Sequence, residues 1–255
     1  MFKKLLTTAV LSALALTLSI QPASAATKLF PDLKTLPPAN LKLDTHKIDG
    51  NRKHILRLTN VVWNAGEGPL DIRSERTSEN RSKAFQRIFE DNGHFTERLA
   101  GEFTFHRAHG HWHFEKFAKY ELWRRAEYDN WIASGRTVGN AQFEGEKTTF
   151  CVIDGLLVQR LPNTPSNSRY NNCTQKEKQG LSVGWGDVYV RSLPDQWVVI
   201  GNHRLPNGRY AIRSIADPVD LIKESPNNDP ARESRNANEA TTFFRVEGGG
   251  AIVYE

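Results

Sequence analysis

Over 54–63 the chain reads HILRLTNVVW, an apolar and β-branched run, and Asn64-Ala65-Gly66-Glu67-Gly68-Pro69 closes it with turn residues. Shorter runs of the same kind stand at 70–73 and 84–89. Over 112–122 the pattern alternates, and Trp112, Phe114, Ala118, Tyr120 and Leu122 share one face at a two-residue period. Further strand patterns occupy 150–153, 181–190, 196–200, 210–216 and 242–246. Many short strands broken by Gly, Pro and Asn predict a mainly β fold, a single sandwich-like domain of short strands with long loops. The Pro-containing stretch 26–40 reads as an extended lead-in. The polar, turn-rich stretches 163–179 and 225–239 read as surface loops. Only 121–131 offers a helical alternative, and there is no internal repeat or sustained heptad.

The first residues change the picture of what belongs to that domain. Lys3 and Lys4 precede an almost uncharged run to Ile20, and Ala23-Ser24-Ala25 supplies the small residues of a signal-peptidase site. Residues 1–25 therefore read as a secretory signal peptide and 26–255 as the mature domain, secreted or periplasmic. The competing reading, a membrane anchor, meets a run short for a span and no basic stop-transfer cluster after it. Removing Lys3 and Lys4 lowers the formal charge from +5 to +3, with no basic stripe, so neither nucleic acid nor membrane is an expected partner. Two cysteines, Cys151 and Cys173, in an exported chain read first as a disulfide.

Of the eight histidines, four fall in His106-Arg107-Ala108-His109-Gly110-His111-Trp112-His113. His109, His111 and His113 alternate, so on a strand they share a face, while Trp112 and Phe114 anchor the other on the core. Imidazoles suit copper or zinc, and three of them leave a coordination position open for chemistry. On a straight strand His109 and His113 would stand roughly 13 Å apart, so the run must bend, and Gly110 permits the bend. His106 lies outside the alternation and reads as a partner of the ligands or an extra ligand. The plainer alternative is a surface or polar-core histidine patch.

Several ordered segments resemble the lysyl oxidase family. HRAHGHWHFEKFAKYEL over 106–122 is similar to its copper-binding region, an H-x-H-x-H run before an F-x-x-Y-[DE]-L strand. Lys147-Thr148-Thr149-Phe150-Cys151-Val152-Ile153-Asp154 resembles its K-x-x-F-C-x-x-D segment. Gln179 to Gly184, Asp187-Val188-Tyr189 and Gln196-Trp197 resemble its Q-G-L-S-x-G…D-x-Y…Q-W region. Pro31-Asp32-Leu33 and Asn207-Gly208-Arg209-Tyr210 have family counterparts too. The resemblance implies a copper amine oxidase with lysine tyrosylquinone, a cofactor formed from its own Lys147 and Tyr189. Copper would sit on His109, His111 and His113. Primary amines, protein lysine side chains among them, would react with dioxygen to give aldehydes, hydrogen peroxide and ammonia. Asp154 matches the family acid near the cofactor lysine, implying a general base or an orienting partner. The plainer readings are a surface lysine at 147, a half-buried strand tyrosine at 189 and a turn aspartate at 154.

Some features depart from the vertebrate pattern. Ala108 replaces a cysteine, and only Cys151 and Cys173 remain of several disulfide positions. The chain looks like a compact microbial member. Two readings of other classes stand beside the oxidase: a secreted copper- or zinc-binding β-domain without oxidase activity, and a zinc hydrolase using the same histidines. Asp32 and Glu224, with asparagines from the following loop, form a candidate oxygen-rich calcium site, against the plainer reading of solvated carboxylates.

Overall fold

The computed structural model describes residues 25–107, 110–145, 149–173, 178–224 and 238–254. The leader expected over 1–25 lies almost wholly outside them, as do His109, Lys147 and most of 225–239. In chain order the strands are β1 (Lys28–Leu29), β2 (Leu33–Thr35), β3 (Ala39–Ile48), β4 (Asn51–Asn64), β5 (Leu70–Arg76) and β6 (Arg81–Glu90). Next come β7 (Phe95–His106), β8 (His111–Phe114), β9 (Ala118–Arg124), helix α1 (Arg125–Ala133), β10 (Phe143–Glu144) and β11 (Leu156–Leu157). The chain finishes with β12 (Gln179–Leu181), β13 (Trp185–Tyr189), β14 (Trp197–Gly201), β15 (Gly208–Ala216), β16 (Glu239–Glu247) and β17 (Gly250–Val253). The protein is mainly β, as the alternation predicts. Among the described residues no helix is long and apolar enough to cross a membrane.

The strands form three sheets. One runs β12-β5-β6-β7-β8 with β1 on β6, another runs β10-β9-β15-β16-β17, and the third gathers around β4. The apolar run at 54–63 is long enough to serve four neighbours. The first part of β4 pairs with β3 and β14, and its end pairs with β2 and β13. Side chains from all three sheets meet in one core that includes Leu56, Leu58, Phe103, Phe114, Tyr120, Leu122, Phe150, Leu181 and Phe244. A satellite cluster of Trp123, Tyr128 and Trp131 seats α1 against Ala211 of β15.

Three expectations need correction. The face Trp112, Phe114, Ala118, Tyr120 and Leu122 is buried throughout, yet it belongs to two strands in different sheets. Lys116, at a φ of 58°, turns the chain between them. The run 181–190 also divides, because Ser182, Val183 and Gly184 turn between β12 and β13. The stretch 150–153 forms only an isolated bridge, Phe150 to Phe114. That bridge matters, because it ties the segment 149–154 to β8.

Candidate active site

The histidine run folds back on itself. His106 ends β7, and the chain reverses so that His106 pairs in register with His111 of β8. Gly110 sits at a φ of 69°, which glycine adopts without steric cost, and its N–H donates to the His106 carbonyl at 2.9 Å. The bend expected at Gly110 is thus a hairpin reversal, and β8 retains only His111 and His113 of the alternating set. Their shared face is as predicted, with Trp112 and Phe114 buried opposite.

His113 is buried, and its Nε2 lies 2.9 Å from Nε2 of His111. Two donors each about 2.0–2.1 Å from one cation, at right angles, stand roughly 2.9 Å apart. The pair therefore fits two neighbouring positions on one metal. Nδ1 of His113 meets Oγ1 of Thr149 at 3.1 Å, which fixes the ring through its other nitrogen. The hairpin also brings in His106, whose ring stacks on that of His113 with centroids 5.0 Å apart. Among the described residues no group of three or more His, Cys, Asp or Glu forms a complete metal cage.

Tyr189 ends β13 and faces the same cavity, about 380 Å³ in volume, as His111 and His113. Its hydroxyl accepts a hydrogen bond from the Cys151 N–H at 2.7 Å and donates to the Cys151 carbonyl at 3.0 Å. Phe150 meets its ring edge to face, with centroids 4.6 Å apart. Burial, reinforced by the neighbouring Asp187 carboxylate, pushes the phenol well above its ordinary range and keeps the proton on oxygen. Cys151 pairs with Cys173, the Cα atoms 5.6 Å apart, and the Cys173 carbonyl accepts from the Trp112 N–H at 3.0 Å. The expected disulfide thus links the residue whose backbone holds Tyr189 to the strand that carries the histidines.

Asp154 lies behind this wall. Its carboxylate accepts from the N–H and hydroxyl of Ser182 at 2.8 and 2.7 Å, and from the N–H groups of Arg169 and Tyr170 at 2.8 and 3.3 Å. Four donors direct it toward the loops it joins. Among the described residues the carboxylate that lines the cavity is Asp187, which sequence reasoning passed over. The signal was present: Asp187 and Tyr189 are two apart on one strand, so they share a face.

The 179–184 motif has a structural logic of its own. Gln179 donates to the Trp112 carbonyl at 2.7 Å and accepts from the Val152 N–H at 3.0 Å, bridging β8 to the segment before Asp154. A Cβ on Gly180 would collide with the Leu70 carbonyl, and one on Gly184 with the Gln159 carbonyl.

At the far end of the candidate set, Glu224 accepts from the Leu33 N–H at 2.7 Å and from Nδ2 of Asn238 at 2.8 Å. Burial, with Asp32 and Asp217 nearby, pushes its carboxyl up to about 8. Oδ1 of Asp32 and Oδ1 of Asn238 are buried without a hydrogen-bond partner among the described residues. Two carboxylates and one amide oxygen, with one carboxylate oxygen and the amide oxygen orphaned, are donors of the kind a hard cation takes.

Comparison with known proteins adds two findings. A family model described as lysyl oxidase matches residues 90–242, well over half of the chain. That range takes in the histidine hairpin, Cys151, Asp154, Cys173 and Tyr189, but not Pro31-Asp32-Leu33. A lysyl oxidase homolog 3B from Danio rerio is 28% identical over 123 residues, 48% of this chain and 13% of the relative. The chain therefore matches only a small part of that relative's length.

Proposed function

The chain belongs to the lysyl oxidase family, and from that premise we propose that it is a secreted or periplasmic copper-dependent amine oxidase that matures its own quinone cofactor. The observation that carries this reading is the shared cavity: the paired Nε2 atoms of His111 and His113 open onto the space that Tyr189 faces. His109 completes the proposed copper set, and Lys147 is the proposed cross-linking amine. When bound, copper with dioxygen would convert Tyr189 and Lys147 to lysine tyrosylquinone, the group that takes primary amines to aldehydes with hydrogen peroxide and ammonia released.

The chain's own residues prepare that chemistry. The Cys151 backbone N–H and carbonyl hold the phenol oxygen of Tyr189, and Phe150 packs edge to face on its ring. Thr149 orients His113. Asp187 lines the cavity and is placed to attract an entering ammonium and to accept a proton. Asp154, with four donors on its oxygens, serves as the orienting partner of this wall. The Cys151–Cys173 bridge supports an oxidising compartment, in keeping with cleavage after Ala25.

Calcium at Asp32, Glu224 and Asn238 is a second proposed site, favoured by the orphaned buried oxygens of Asp32 and Asn238. It would hold the chain's first strands to the segment after β15.

One experiment tests the main reading: metal analysis and tryptic peptide mapping on protein matured with copper and air. The expected result is stoichiometric copper, a joined peptide containing Lys147 and Tyr189, and peroxide released from a primary amine. Copper-loaded, aerated protein with Lys147 and Tyr189 in separate, unmodified peptides refutes it and leaves a metal-binding β-domain.

A further inference from the structure

The hairpin of β3 and β4 gathers charge that no run of the sequence displays. Between Lys42 and Arg57 five lysines and arginines stand against two aspartates, interleaved with apolar residues. Pairing sorts them into rows, because residues directly opposite on antiparallel strands point to the same face. Lys42 stands opposite Arg57, His46 opposite Lys53, and Lys47 opposite Arg52. Like charges placed in this way repel. At the first row the protein supplies its own carboxylate: Asp44 lies 3.2 Å from the Lys42 ammonium and 3.6 Å from the Arg57 guanidinium. At the last row it supplies none, since neither Lys47 nor Arg52 has an ion pair or side-chain hydrogen bond among the described residues. Two clefts flank this end of the hairpin and share Thr45 in their walls. One, about 280 Å³, is also lined by His54, Arg204, the already paired Asp44 and the turn at Gly248 and Gly249. The other, about 410 Å³, is also lined by His46, Lys47, Gly50 and Arg52. Lys53 donates to Oδ1 of Asn202 at 2.8 Å, which ties the hairpin to the loop that carries Arg204.

We propose that this end of the hairpin binds a linear polysaccharide carrying carboxylate or sulfate groups, laid from Arg204 and His54 across Thr45 to Lys47 and Arg52. Its anions supply at the last row what Asp44 supplies at the first. Thr45, His46 and His54 offer hydroxyl and imidazole partners to sugar hydroxyls. Grouped cations attract a polyanion more strongly than any one of them alone. The surface suits a glycan better than other polyanions. Among the described residues neither cleft is lined by a Phe, Tyr or Trp ring on which a base could stack. At the tip Asp49 and Gly50 offer a bilayer no apolar side chain. The site is also separate from the Tyr189 cavity: Asn60, which pairs with Tyr189, lies roughly 26 Å along β4 from Arg52. A glycan held here leaves that cavity open, and the proposal stands independently of the oxidase reading.

The test is calorimetric titration of the full-length protein with a short heparin oligosaccharide and with an oligogalacturonate, at low and high salt. The expected result is binding of one or both, weakening as salt rises, with neutral dextran unbound; the glycan that binds tells sulfate from carboxylate. Lys47→Gln/Arg52→Gln should weaken that binding about tenfold. Lys28→Gln/Lys83→Gln, on the sheet of β1 and β6, should leave it within about twofold. Lys47→Gln/Arg52→Gln should also unfold at no lower a urea midpoint than the native protein, because it relieves a repulsion. The bound oligosaccharide should raise the native midpoint more than that of the variant. Binding of neither oligosaccharide, or an equal loss in the two double variants, overturns the proposal. Tighter binding of a DNA duplex of matched charge also overturns it and gives the surface to a nucleic acid. A lower midpoint in Lys47→Gln/Arg52→Gln overturns it too, because the two cations would then be structural.

Discussion

The Tyr189 oxygen is gripped by the backbone of one residue, giving to the Cys151 carbonyl and taking from the Cys151 N–H. Removing that oxygen strands two backbone groups in a part-buried wall. Tyr189→Phe should therefore cost about 1–3 kcal/mol in urea unfolding of the metal-free protein, apart from any loss of turnover. An unchanged unfolding midpoint would show that the clamp is not formed. Thr149 offers a second test. Thr149→Val preserves shape but removes the partner of His113 Nδ1. Copper affinity should fall about 10- to 100-fold in competition with a chelator, with the fold intact. These residues differ in how far sequence revealed them. Tyr189 and His113 stood in motifs, whereas Thr149 and Asp187 mattered only once β8, β13 and the segment between Phe150 and Asp154 had come together.

Strands were legible where the period was clean. The run at 54–63 became the centre of a sheet, and 84–89, 210–216 and 242–246 lie within β6, β15 and β16. The stretch 95–106 escaped notice because its sequence, FTERLAGEFTFH, is interrupted by glycine and charge, and Phe95 and Leu99 face solvent. Its twelve residues are nevertheless held by β6 on one side and β8 on the other. Pairing of that kind depends on neighbours distant in sequence, which local propensity does not see. The same holds for the histidine hairpin: alternation fixed the face of His111 and His113, but the reversal that delivers His106 depends on β7. At the element scale the decisive contact is between β12 and β5. Gly180→Ala would drive a methyl into the Leu70 carbonyl, costing about 3 kcal/mol or more. Weakened β12–β5 pairing should appear as faster amide exchange at 179–181, and normal protection there would contradict this account.

Across the whole molecule, buried carboxylates give stability a pH signature. Asp217, burial-raised to about 6, is held by the N–H groups of Leu221 and Ile222, and Glu224 is raised to about 8. Both folded values lie above the unfolded ones, so the unfolded chain releases these protons first. The stabilisation is full below about pH 4 and is lost as pH rises through about 6 for Asp217 and about 8 for Glu224. The unfolding free energy from urea titration should thus decline from pH 5 to 8, by on the order of a few kcal/mol in total. Asp217→Asn should flatten the lower part of the curve and Glu224→Gln the upper part. Millimolar calcium should restore the midpoint at pH 8 in the native protein but not in Glu224→Gln. A pH-independent midpoint in calcium-free buffer would count against both assignments.

The disulfide has a last consequence, in the denatured chain. Cys151 and Cys173 are 22 residues apart, and the proposed bond between Lys147 and Tyr189 would enclose that ring within a larger one. Two nested rings leave the unfolded polypeptide fewer ways to spread, and with the inner bridge already shortening the path to about 20 residues, closing the outer ring removes entropy worth about 3 kcal/mol. Maturation would then act as a one-way lock: the step that arms the site also raises the melting temperature. Scanning calorimetry before and after copper and air, on protein stripped of metal both times, should show that rise.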